Sequence, residues 1–194
     1  MSSSTQPKPQ ESRVWQNGEL PPNVVVGANT VILGTLAFKR FHSKKEPALL
    51  IGANSTMDGV HFDLGEKARM VIGDYCYFTN TVLLSELEVR IGNYVIIGWN
   101  ATIMDTDFHP ISPAERIADA IAVSPLGRGR PRQLVKKQPV IIEDNVWIGP
   151  MAAIFKGVRI GDSAIIEPGS IVTHDVPPHT RMMGNPAQVI GEVP

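Results

Sequence analysis

Between Val140 and Val172 a branched aliphatic residue returns at every sixth position: Ile142, Ile148, Ile154, Ile160, Ile166 and Val172. Four positions after each of the first five stands a small or β-branched residue: Val146, Ala152, Val158, Ala164 and Ser170. Glu143, Gly149, Gly161 and Glu167 put a glycine or an acid directly after, and Phe155 and Thr173 break that habit. Six residues overshoot one face of an α-helix by a wide angle, whereas six is a multiple of the two-residue alternation of a strand. Every sixth side chain can therefore face the same way if the chain is extended and bends at fixed intervals. Glycine and proline within the stretch weigh further against a helix. This is the hexapeptide pattern of a parallel β-helix.

The same phase runs backwards through the chain. Val26, Ile32 and Phe38 open it, Ile51 and Met57 continue it, and Ile72, Phe78 and Leu84 make a third group. Ile91, Ile97 and Ile103 make a fourth, after a seven-residue step that implies a one-residue bulge. Cys76 falls where a small inward residue belongs and reads as core. Three hexads per group predict an all-β fold, a triangular coil with one strand on each side. About six such coils, stacked at roughly 4.8 Å, give a prism on the order of 25–30 Å tall.

Residues 1–22 are polar and read as a flexible arm that Trp15 could dock; 23–191 form the coil domain and 192–194 a short tail. Lys39 to Pro47 reads as a solvated loop between coils. The main interruption is a loop insertion at 105–138, and excursions of this length in a compact repeat are usually functional. Within it, Ser112-Pro113-Ala114-Glu115 is a capping box with proline at the first helical position. With the apolar stripe Ile117, Ala118, Ile121 and Ala122, it predicts a short helix from Pro113 to about Ala122, ended by Ser124-Pro125. The remainder carries Arg128, Arg130, Arg132, Lys136 and Lys137, which read either as a solvated basic loop or as an anion contact. Beyond Val172 come a prolyl turn and then Gly184-Asn185-Pro186-Ala187, where the pattern stops, and the residues from there to Pro194 are too few for a capping helix.

Composition narrows the classes. A chain of 194 residues with 43% hydrophobic and 19% charged residues is one globular domain. A net charge of −1 offers no electrostatic reason to bind nucleic acid or a membrane surface. The 17 glycines and 16 prolines favour turns over long helices. With one cysteine no intramolecular disulfide forms, and no apolar signal core opens the chain, so a cytoplasmic location is expected.

There is no G-x-S-x-G, P-loop or G-x-G-x-x-G motif, which argues against an α/β-hydrolase and a Rossmann nucleotide site. His109 stands at the mouth of the long insertion, in Asp105-Thr106-Asp107-Phe108-His109-Pro110. In an extended segment Asp105 and Asp107 share its side. A carboxylate on one imidazole nitrogen leaves the other free as a base. Spacing alone leaves this reading level with a surface histidine in an acidic turn. His174 and His179 have spacing that could suit a metal pair, but no third ligand is in phase, so no metal is expected.

The runs PVIIEDNVWIG, FKGVRIGDSAIIEPGSIVTHDVPPHT and GNPAQVIG resemble the hexapeptide-repeat acyltransferases. The likeness is to the maltose, galactoside and xenobiotic O-acetyltransferases and the sugar acetyltransferases of polysaccharide synthesis, over roughly residues 70 to 191. The resemblance implies a left-handed coil and a homotrimer with active sites between neighbouring prisms. It implies acetyl-CoA as co-substrate, lying along the coils after the insertion. His109-Pro110 matches the family's catalytic histidine, which would take a proton from an acceptor hydroxyl, expected to be a sugar's, as that oxygen attacks the thioester; Asp107 or Asp105 would orient it. Coenzyme contacts are expected from Trp147, Gly149, Pro150, Lys156, Pro168, Thr173, His174 and Arg181, and an acceptor contact from Asn80. Pro150 departs from relatives that offer a backbone N–H there. Pro168, Gln188 and Gly191 also depart. A γ-class carbonic anhydrase-like metalloenzyme, an N-acetyltransferase of an amino sugar and a non-catalytic scaffold are the competing readings.

Overall fold

A computed structural model describes residues 14–194. The first coil consists of β1 (Val24–Val26) and β2 (Val31–Leu33), with turns on its third side. The second is β3 (Leu49–Ile51), β4 (Thr56–Asp58) and β5 (His61–Leu64), and the third β6 (Arg69–Ile72), β7 (Tyr77–Thr79) and β8 (Val82–Ser85). The fourth is β9 (Glu88–Ile91), β10 (Ile96–Ile97) and β11 (Thr102–Met104). The insertion with α1 (Pro113–Val123) follows. The fifth coil is β12 (Val140–Ile142), β13 (Trp147–Ile148) and β14 (Ala153–Ile154), and the sixth β15 (Arg159–Ile160), β16 (Ile165–Ile166) and β17 (Ile171–Val172). A seventh is begun by β18 (Thr180–Gly184), which folds back antiparallel as β19 (Ala187–Glu192). The solenoid thus has about seven turns rather than six.

Each face of the prism is one sheet. The first is β1-β3-β6-β9-β12-β15, the second β2-β4-β7-β10-β13-β16-β18 with β19 on its edge, and the third β5-β8-β11-β14-β17. Register stacks the hexad residues directly. Ile72, Ile91, Ile142 and Ile160 form one ladder, and Phe78, Ile97, Ile148 and Ile166 another. Ile103, Ile154 and Val172 form the third. All are at most 3% exposed, so no coil has a core except through its neighbours. Cys76 is buried as expected, and desolvation pushes its thiol up to about 11.

The phase slips once. The third-face ladder continues to Leu83 and Phe62, both fully buried, and not to Leu84, which pairs with Met104 and is half-buried. In these two coils the corner between second and third faces turns through Gly59 or Asn80, both at positive φ. That corner uses one residue fewer than it does in the coil of Ile97 and Ile103. A one-residue change exchanges the inward and outward positions of a strand.

The ends are closed differently. Trp15 bridges to Ile32, donates its indole N–H to the Gly34 carbonyl and meets Phe38 edge-on at 5.0 Å. The expected arm therefore joins the coil from Trp15 onward; residues 1–13 lie outside the described residues. The segment expected as a solvated loop carries Phe41, which packs edge-on against Phe38, and Phe38 stacks on Phe62. Ser43 is buried and bonded to the Ala68 carbonyl. At the other end the β18–β19 hairpin occupies the place a capping helix would take. Among the described residues no helix is long and apolar enough to cross a membrane.

Candidate active site

The three corners form three edges of the prism, and each expected site residue falls on one face or edge. The third edge, between the third and first faces, carries the insertion. Its base is a two-stranded stub: Thr106 bridges Lys137 antiparallel, Gln138 donates to the Asp105 carbonyl, and Asp107 to the Lys136 carbonyl. The helix runs one residue past its expected end. Ser112 makes no side-chain cap bond, so the capping box does not form. The expected apolar stripe is solvent-facing, with Ile117 65% exposed, and the buried residue of α1 is Asp119.

Asp119 is the partner of His109. His109 Nδ1 lies 2.6 Å from Asp119 Oδ2. Arg132 Nε donates to Oδ1 at 2.9 Å, and Arg132 Nη2 to Oδ2 at 3.0 Å and to the Phe108 carbonyl at 2.7 Å. Hydrogen bonds from Arg132 first, and from His109 second, hold the Asp119 carboxyl at about 2, against desolvation. The same carboxylate raises the guanidinium of Arg132. An ionised carboxylate can only accept. Nδ1 must therefore carry the proton, and in the neutral ring Nε2 keeps a free lone pair. The His109 side chain is 57% exposed, so the imidazole is accessible while its anchor is not. Beside it opens a small cavity of about 170 Å³ lined by Asp107, Ser112, Glu115, Val135 and Lys136.

Neither carboxylate expected to orient His109 does so. Asp105 is buried and accepts from Ser85 Oγ and from the backbone N–H groups of Glu86, Leu87 and Glu88, at 2.6–2.9 Å. It anchors the insertion to the coil below. Asp107 pairs with Lys156 Nζ, which ties the insertion to the coil above. The segment is not extended: Phe108 has φ of 59° and His109 N–H turns back to the Asp107 carbonyl, so strand alternation fails there. Asp119 and Arg132 were not singled out as partners, because a helix and a loop separate them from His109 and no local spacing links them.

Lys156, Thr173 and His174 lie on the third edge, with Thr173 and His174 exposed one rung above Lys156. Trp147 and Arg181 are on the second face, and Arg181 is tied to Glu167. Gly149, Pro150 and Pro168 are on the second edge, where Gly149 packs so tightly that a Cβ would meet Pro168 N at 2.6 Å. Gly98 holds Pro150 in the same way, at 2.7 Å. These prolines thus fill a stacking position at a corner, each over a glycine. Asn80 is on the second edge too, bonded to Asn100, and not beside His109. His174 and His179 occupy different edges, and among the described residues no three metal-ligating side chains converge.

A family model described as bacterial transferase hexapeptide (six repeats) matches residues 139–174. The galactoside O-acetyltransferase of Escherichia coli K12 is 32% identical over 156 residues, covering 80% of this chain and 69% of that protein. The galactoside O-acetyltransferase of Lactococcus lactis is 37% identical over 125 residues, 64% of this chain and 53% of that protein, so the chain spans about half of that relative. A hexapeptide-repeat containing acetyltransferase of Vibrio cholerae superposes with a TM-score of 0.59 at 26% identity, covering 81% of this chain and 77% of that one. Its complex with acetyl coenzyme A superposes at 0.57, with 23% identity and coverage of 89% and 72%. Repeat, register and relatives agree, and the chain belongs to the hexapeptide-repeat acetyltransferase family.

Proposed function

We propose that the protein is an acetyl-CoA-dependent O-acetyltransferase acting on a sugar-like hydroxyl, with His109 as general base. The observation that carries this reading is the chain Arg132–Asp119–His109, which engages Nδ1 and leaves the other ring nitrogen without a bond in a side chain that is 57% exposed. A hydroxyl must lose a proton as it attacks, and a held imidazole is the usual group for that step. His109 takes that proton as the hydroxyl oxygen bonds to the acetyl carbon. When the C–S bond breaks, His109 returns the proton to the departing sulfur, so no external acid is needed. Lys156, Thr173 and His174 form the part of the coenzyme bed on the same edge. The galactoside acetyltransferases among its relatives and the acetyl coenzyme A complex of the Vibrio cholerae protein support the choice of substrates.

The site needs more than one copy on this reading. Trp147, Gly149, Pro150, Pro168 and Arg181 belong to the second face and edge, and His109 leaves from the third. A neighbouring copy that turns its second edge toward this copy's third edge brings the two sets together, and Asn80 with them. The second face is suited to such contact: Tyr77, Ile96 and Trp147 stand in register, each 40–48% exposed, with Trp99 and Met151 exposed on the adjoining edge. A closed trimer satisfies this contact in every copy.

His109→Ala is expected to lower turnover by about two decades or more, the scale of a general base, while coenzyme binding persists. Unchanged turnover removes the mechanism. Sedimentation at micromolar concentration is expected to give trimers, and a clean monomer removes the shared site. An acceptor screen that finds transfer only to amines converts the reading to N-acetylation.

A further inference from the structure

A second cavity lies away from His109. It has a volume of about 570 Å³ and lies farther down the same third edge, lined by His42, Lys44, Gly65, Glu66, Lys67, Glu86 and Lys137. These residues climb the edge in order. His42 and Lys44 bond to the backbone of Leu64 and Glu66 one rung above, and Gly65 to that of Ser85. Lys137 closes the top from the base of the insertion. A third, smaller cavity shares Glu86 and Lys137 with this one and continues past Phe108 and Arg132 to Leu134 and Val135. Leu134 and Val135 also line the space beside His109. The three spaces therefore adjoin one another along this edge, sharing Glu86 and Lys137 and then Leu134 and Val135 as common walls. At about 4.8 Å per rung, Lys67 sits on the order of 10 Å below the level of Lys137.

The charges in the cavity do not cancel. Lys44 pairs with Glu66 at 3.0 Å and Lys137 with Glu86 at 3.0 Å. Among the described residues Lys67 has no carboxylate within ion-pair distance, so with His42 neutral the lining keeps a charge of one lysine. Glycine at 65 leaves the space for this arrangement: a Cβ there would lie 2.4 Å from the Glu86 carboxylate. A lysine head is a compact charge with three rotatable donors, suited to an anion of any geometry.

We propose that this cavity is the subsite for the outer part of the acceptor, and that this part carries an anionic group, a carboxylate, phosphate or sulfate, held by Lys67. The proposal rests on the reading of His109 as the base, since that base fixes which end of this row of spaces receives the reacting hydroxyl. It also gives the charged segment from Lys39 to Pro47 a task that packing alone leaves open.

The test separates binding from turnover. Glucose, glucuronate, glucose 6-phosphate and glucose 6-sulfate are titrated calorimetrically into the full-length His109→Ala protein in a phosphate-free buffer. The expected result is that at least one of the three anions binds about tenfold more tightly than glucose, and that adding Lys67→Gln brings it to within about twofold of glucose. The three anions tell which group is preferred. Lys39→Gln, an exposed lysine outside the cavity, leaves all four affinities as in the parent. Equal affinity for all four sugars, binding of none of them, or an anion preference that survives Lys67→Gln overturns the proposal. Transfer to the same sugars by the unmutated protein is measured in parallel. An anion preference in binding with no transfer to any hydroxyl overturns the reading of the reaction and leaves the subsite standing.

Discussion

Asp119→Asn is the sharpest probe of the site, because it keeps the shape of the side chain and removes one acceptor. Asp119 takes hydrogen bonds on both oxygens, from Arg132 Nε on one and from Arg132 Nη2 and His109 Nδ1 on the other. An asparagine has one carbonyl oxygen, so its NH₂ must face a donor whichever way it turns. If the NH₂ occupies the place of Oδ2, it donates to Nδ1, and the imidazole proton moves to Nε2, where the base function is lost. If it occupies the place of Oδ1, it opposes Arg132 Nε and the clamp on His109 loosens. A charge-assisted bond of this kind contributes about 1.5–3 kcal/mol when buried. The Arg132 side chain is 47% exposed, so water offsets part of that loss and the low end applies to stability. The effect on rate is larger. General-base catalysis contributes about 10²–10⁴-fold, and the variant is expected to lose about 10²-fold in kcat with the KM for coenzyme unchanged. Release of coenzyme thiol under saturating acceptor reads this directly, with circular dichroism as the check on the fold. Because Asp119 acts only through His109, the double variant with His109→Ala is expected to be no slower than His109→Ala alone. A folded Asp119→Asn protein within about threefold of the parent, or a double variant showing the product of both losses, refutes the assignment.

The Asp119 carboxyl and the third face of the prism each set a further expected outcome. The folded Asp119 carboxyl is held at about 2, below its unfolded value near 3.9, by Arg132 and His109. A depressed carboxylate adds stability that is fully present above about pH 4 and is lost as pH falls through about 2. The difference in unfolding free energy between the parent and Asp119→Asn, from urea titrations, is therefore expected to shrink as pH falls from 4 to 2. The inward phase of the third face is tested by Leu83→Ala, which is expected to cost about 2–5 kcal/mol as a buried leucine, against less than about 1.5 kcal/mol for the half-buried Leu84→Ala. Equal losses in denaturant unfolding contradict the register.

The aliphatic hexad by itself determined the parallel β-helix, the three-sided coil and the place of the insertion. A repeat fixes the local bend and the inward direction together, and both are properties of consecutive residues. Cys76 as core and the helix beginning at Pro113 were legible for the same reason. His109 was singled out by its place at the mouth of the insertion and its resemblance to the family's motif.

Only the tertiary structure decided what His109 touches. Asp105 and Asp107 are near it in sequence, but Asp105 faces the coil below and Asp107 meets Lys156 above, since each anchors the insertion to a different rung. Asp119 reaches His109, and Arg132 reaches Asp119 and the Phe108 carbonyl, because α1 and the following loop fold back there, and no periodicity encodes that return. The slip from Leu84 to Leu83 has the same origin. Two corners between the second and third faces are one residue shorter, and strand alternation then turns the neighbouring side chain inward. The cavity below the insertion joins residues from 42 to 137 that share only an edge of the prism. Stacking of coils, not spacing along the chain, brings those charges into one cavity.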